Sequence, residues 1–168
     1  MEQSDTIANA DFIARVQDAL SWTSSDAVRM SCLEQLAAMP KMPRSHILVS
    51  LLLRTLREDP NGVVRHEAAF VLGRVHDLYS DLVGDEVFLA LCKSARTDSS
   101  IIVRHEATEV LGNLADPRVI GVLHELAEDD NVDVALTATL GLERQALDRG
   151  GSNWEPLSQI LSEAFPKI

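Results

Sequence analysis

Aromatic residues are scarce in this chain, at 4% of the sequence. The interior must therefore be closed by Leu, Ala and Val, a balance that favours helices packed through small and aliphatic side chains. Bases are also few: 15 lysines and arginines stand against 26 aspartates and glutamates, a net charge of −11. Such a chain is a poor general binder of DNA, RNA or anionic membrane. It attracts cationic partners, amines or metal ions, although simple solubility is the plainer meaning of the same charge. The two cysteines, Cys32 and Cys92, lie far apart in apolar helical segments, which makes no disulfide framework and reads as buried, reduced thiols compatible with the cytoplasm. The greasiest run, Ile47 to Leu53, is too short to cross a membrane. The start, Met1-Glu2-Gln3-Ser4-Asp5, lacks the basic residues and apolar core of a secretion signal. There is no glycine-rich phosphate loop, and no Ser/His/Asp or Cys/His constellation can be argued.

What is present is helical. Hydrophobic residues make up 46% and charged ones 24%, the balance of a globular chain, read here as one domain over residues 1–168. Apolar positions recur at steps of three and four. They predict helices over Thr6 to Leu20, Asp26 to Ala38, Ser45 to Arg57, Val63 to Val75, Leu82 (or Asp85) to Arg96, and Ile101 to Leu114. A seventh opens at Asp116-Pro117 and runs to about Glu128, an eighth covers Val132 to Leu147, and a closing helix covers Glu155 to Phe165. No strand signal appears.

The helices repeat. Val63-Val64-Arg65-His66-Glu67-Ala68-Ala69-Phe70-Val71-Leu72-Gly73 returns 39 residues later as Ile102-Val103-Arg104-His105-Glu106-Ala107-Thr108-Glu109-Val110-Leu111-Gly112. Weaker copies begin at Val28 and Val134, so four units align at Val28, Val64, Val103 and Val134 with offsets of 36, 39 and 31 residues, the period of a helical solenoid. The expected fold is all-α, a solenoid of about four helical hairpins plus a C-terminal helix. Only the two middle units carry His-Glu; the outer ones have Met30-Ser31 and Leu136-Thr137 at those places. The repeat therefore does not need imidazole and carboxylate there for packing.

At about 100° per residue, His66 lies roughly 160° around its helix from Val64, off the stripe of Val64, Ala68, Val71, Leu72 and Val75. The residues three and seven places after each histidine are small, which leaves room above the imidazole. Equivalent helices of neighbouring repeats pack roughly 8–10 Å apart, so long side chains from equivalent positions can meet. Two imidazoles with carboxylates and open positions suit non-haem iron and dioxygen chemistry. A buried His–Glu hydrogen bond copied by duplication is the alternative. Arg65 and Arg104 are read as structural, because Arg29 holds the same place in a unit without His-Glu; Gly73 and Gly112 are read as packing glycines. His46, His76 and His124 have no matched partner and are read as surface or satisfied. Asp81, Asp85 and Glu86 are read as a solvated connection.

These units resemble HEAT-like repeats of the type shared by phycobilin lyases and deoxyhypusine hydroxylase, and the two His-Glu strings are similar to the latter. The resemblance is strong over roughly Asp59 to Asp130 and generic elsewhere. It implies an all-helical diiron monooxygenase that uses dioxygen on an amine-bearing side chain. It implies His66, His105 and Glu106 as ligands of one iron, with Glu67 as a further metal-facing carboxylate beside the substrate amine and the candidate catalytic residue. That family carries two similar halves with two His-Glu motifs in each; this chain has two in that repeat register. Either it pairs with itself as a homodimer, each copy completing the other's site, or it keeps the scaffold and a single metal. The leading expectation is a cytoplasmic non-haem iron hydroxylase acting on an amine-bearing or cationic substrate. The rivals are a non-catalytic HEAT-like adaptor and a phycobilin-lyase-like binding protein.

Overall fold

The structure is a computed structural model and describes residues 2–148. Eight α-helices and one 3-10 turn make up the described residues, with no strand among them. They are α1 (Glu2–Ala19), α2 (Asp26–Ala38), α3 (His46–Glu58), α4 (Gly62–Leu78), α5 (Asp85–Thr97), α6 (Ile101–Asn113), α7 (Val119–Leu126) and α8 (Val132–Asp148), with the 3-10 turn at Ser80–Leu82. The expected closing helix, Glu155 to Phe165, lies outside the described residues. Side-chain oxygens of Ser25, Ser45 and Asn61 accept from the backbone N–H groups of Val28, Leu48 and Val63, which fixes where α2, α3 and α4 begin. Asp116 accepts from the Arg118 N–H at 2.9 Å, and α7 registers only from Val119, two residues past the predicted proline start. The segment after Val75 was expected to be a connection. Instead α4 continues to Leu78, because nothing before Ser80 breaks a helix, and the 3-10 turn then buries Leu82.

The helices pair as four hairpins, α1/α2, α3/α4, α5/α6 and α7/α8. Even-numbered helices stack in series, α2 on α4, α4 on α6 and α6 on α8, and do so more extensively than the odd-numbered ones. The core lies between the two layers. Val64, Ala68, Val71, Leu72 and Val75 of α4 are all buried, as the periodicity predicts, and so are their counterparts Val103, Ala107, Val110, Leu111 and Leu114.

A ladder of arginines and aspartates ties one repeat to the next. Arg29 reaches Asp59 at 2.6 Å, Arg65 reaches Asp98 at 2.6 and 2.8 Å, and Arg104 reaches Asp129 at 3.5 Å. Each aspartate also accepts the N–H two residues on, from Asn61, Ser100 and Asn131, so it shapes its own interhelical turn while holding the preceding repeat. Each arginine also binds a carbonyl just before its own helix: Ser24, Asp59 and Asp98 respectively. This is the structural role expected of Arg65 and Arg104. The fourth unit has Ala135 in the arginine's place.

The small residues beside the histidines are used within the chain. Ala69 and Thr108 are fully buried. A Cβ on Gly73 would come within 2.9 Å of Val110 Cγ2, and one on Gly112 within 2.9 Å of the Gly141 Cα. They let the even helices approach closely. The expected free space above the imidazoles is therefore corrected: α6 fills it over α4, and α8 fills it over α6.

Candidate metal centre

α4 and α6 present their His-Glu pairs toward each other across the seam between the two middle repeats. His66 Nε2 lies 3.3 Å from Glu106 Oε2, and His66 Nδ1 lies 3.8 Å from Glu67 Oε2. The four expected residues are half-buried or deeper. His66 keeps 30% of its side chain exposed, Glu67 16% and Glu106 9%, while His105 is intermediate. Each stands just off the buried stripe, placed there by the helical step from Val64 or Val103 and held by the arginine clamp immediately before it.

The electrostatics follow from this packing. The Glu106 carboxylate raises the His66 pKa above 6.5, against the opposing effect of burial, and Glu67 and Glu109 add smaller pushes in the same direction. Burial raises Glu67 above 4.5; His66 pulls it down, while Glu34 and Glu106 push it up. Glu34 of α2 thus acts electrostatically on the same face.

The grouping of metal-type donors is not quite the one expected. His105, Glu106 and Glu109 each offer a ligand atom within 4.8 Å of the others. His66 meets this cluster through Glu106. Glu67 touches His66 and stands at the side of α4. Glu109 was not among the candidate ligands. Its signal was in the sequence: it follows His105 by four residues, one turn of the same helix face, where the other copy has Phe70. Imidazole and carboxylate donors, partly buried and adjacent, fit a first-row divalent metal such as iron.

The remaining chemistry-bearing residues are accounted for elsewhere. Asp81 pairs with Arg44, Asp85 with Arg118 and Glu86 with Arg57, all at the surface. His46 and His124 are exposed, and His76 sits 3.5 Å from Asp77. Cys32 and Cys92 are free, and burial pushes both thiols up.

Four stacked hairpins joined by an arginine–aspartate ladder define a helical-repeat protein. The HEAT-repeat family profile matches residues 49–143 and 88–164, and the chain belongs to that family. Among solved structures it is similar to human deoxyhypusine hydroxylase in complex with glycerol, with a TM-score of 0.66 and 21% identity over 90% of this chain and 50% of that one. The chain thus spans about half the length of that protein. No curated protein matches it. Among the described residues, no helix is long and apolar enough to cross a membrane.

Proposed function

We propose that this protein is a non-haem iron hydroxylase that works as a homodimer and acts on an amine-bearing or cationic substrate with dioxygen as co-substrate. One observation carries the reading: the two repeats with His-Glu are neighbours, and their shared seam brings those pairs together, with His66 3.3 Å from Glu106 and a His105–Glu106–Glu109 cluster beside it. Likeness of fold to human deoxyhypusine hydroxylase supports it. In this proposal His66, His105 and Glu106 hold iron, and Glu67 stands at its edge.

Bound iron would supply the redox chemistry that activates dioxygen. The chain's own contribution is to hold and to move protons. Glu106, almost wholly buried, lies 3.3 Å from His66 Nε2. Glu67, raised by burial, retains its proton more readily than an exposed glutamate. Its Oε2 can exchange a proton with the ammonium group of a bound substrate.

Dimerisation follows from ligand count and surface. Two open iron sites need roughly six protein ligands, more than this seam supplies alone. Exposed apolar side chains stand one turn to either side of the histidines: Val63 and Phe70 on α4, Ile102 on α6, and Leu140 in the matching row of α8. A second copy facing this surface would cover them and bring the remaining ligands. The test is iron content and the visible spectrum of aerobically purified protein, with solution mass by light scattering. A coloured dimer with stoichiometric iron is expected. A monomer that stays colourless and metal-free after anaerobic ferrous loading would replace this reading with the adaptor.

A further inference from the structure

Beyond the His-Glu dipeptides, α6 carries a donor that α4 lacks. Glu109 follows His105 by four residues and Glu106 by three, so the three side chains leave one face of a single helical turn. Their ligand atoms fall within 4.8 Å of one another. Two atoms bound to one ion at about 2.1 Å each can stand at most about 4.2 Å apart. Small side-chain rotations therefore close the grouping onto a metal, and Glu109, being exposed, is free to make them. Nothing else claims this carboxylate: among the described residues Glu109 has no hydrogen bond or ion pair, whereas the exposed Glu86 and Glu125 are each bound by an arginine. His105 is likewise without a partner among the described residues.

The duplicated helix supplies the contrast. In α4 the place of Glu109 is taken by Phe70, 40% exposed, and α4 forms no grouping of three donors. Two helices that share an Arg-His-Glu string have thus diverged at the one position that decides whether a helix can chelate alone.

We propose that α6 by itself is the primary metal-capture element, a His-Glu-x-x-Glu chelate in which Glu109 is a direct ligand of the first divalent ion to bind. α4 then adds His66 to a site already formed. This rests on the reading of the seam as a metal centre, and it makes the two repeats unequal: one captures the ion and the other completes its coordination.

The test uses Co(II) as the probe, titrated into the full-length protein under anaerobic conditions and followed by its visible d–d absorption and by calorimetry. The wild-type chain should bind one tight equivalent. Glu109→Ala should weaken it about 100-fold, the upper end of what loss of a supporting group costs a metal site. His66→Ala should weaken it less than Glu109→Ala does. Phe70→Glu, which gives α4 the same i, i+4 chelate, should raise the stoichiometry toward two. Glu109→Ala with wild-type affinity, or Phe70→Glu with unchanged stoichiometry and affinity, would overturn the assignment of Glu109 while leaving the metal centre standing. A wild-type chain that binds no Co(II) would overturn both. Unchanged helical circular dichroism in each variant separates loss of a ligand from loss of fold.

Discussion

Helices α4 and α6 spell nearly the same sequence, yet the structure treats them differently in three places. The arginine of α4 closes a tight double contact on Asp98, while that of α6 meets Asp129 through one contact of 3.5 Å. The glycine of α4 faces the tip of the Val110 side chain, while that of α6 faces the backbone of Gly141. The residue four places after the histidine is Phe70 in one and Glu109 in the other. Duplication copied the scaffold, and the neighbours then made each copy particular. α4 lies between α2 and α6, where the ladder is tight, and α6 lies against α8, where the backbones come closest.

The largest expected effect breaks the ladder comparison. Arg65→Ala leaves Asp98 nearly buried without its partner, and losing one member of a buried pair costs about 3 kcal/mol or more. Arg104→Ala removes one long contact to Asp129 and a 3.2 Å bond to the Asp98 carbonyl, and should cost about 1 kcal/mol. Urea unfolding of the two variants measures the difference. Equal losses would mean that the two rungs carry equal load.

The glycines sharpen the comparison at smaller amplitude. In Gly112→Ala the new methyl meets a Cα that cannot rotate away, so α6 and α8 must separate, at about 2–3 kcal/mol. In Gly73→Ala the clash is with a side-chain methyl of Val110. A small shift of that methyl is offset by about 1 kcal/mol of helix propensity, leaving a net change of about 1 kcal/mol or less. Thermal denaturation of both variants checks the order.

That difference shows where the sequence stops being legible. The eight described helices, the core stripe of α4 and the structural arginines can be read from periodicity and from the comparison of the repeats, apart from the end of α4 and the start of α7. The four-hairpin order follows from the repeats. Which small residues are filled by a neighbouring helix, and which stay open, depends on the approach of α6 and α8, and no local pattern encodes that. The same holds at the seam. The His-Glu pairs stand out because two copies agree and two do not, whereas Glu109 stands out only where those two copies differ, four residues after the histidine.

The histidines should matter little to folding. Met30 and Leu136 occupy the same repeat position, and both His66 and His105 are only half-buried, so His66→Ala and His105→Ala should each change stability by about 1 kcal/mol or less. His105→Ala should nonetheless lose tight iron and His66→Ala should hold it more weakly, read as metal per chain after desalting. Full iron in both variants would remove the seam from consideration as the site.

The smallest effect separates a metal centre from a plain His–Glu ion pair. Glu106 raises the pKa of His66 in the folded protein above 6.5, with burial opposing it. The sign is that of a group that holds its proton more tightly when folded. Its contribution is fully present below pH 6.5 and is lost as the pH climbs through the raised value. Glu67, raised by burial from 4.5, acts in the same direction over a lower range. The metal-free protein should therefore lose a little thermal stability as the pH rises above 6.5, and Glu106→Gln should flatten that slope by removing its main cause. Metal binding needs the neutral imidazole and runs the other way, tightening as the pH rises over the same interval. Melting curves with and without Co(II) should thus diverge with increasing pH. An ion pair with no affinity for metal gives the first slope alone, and parallel curves would assign His66 and Glu106 to that role.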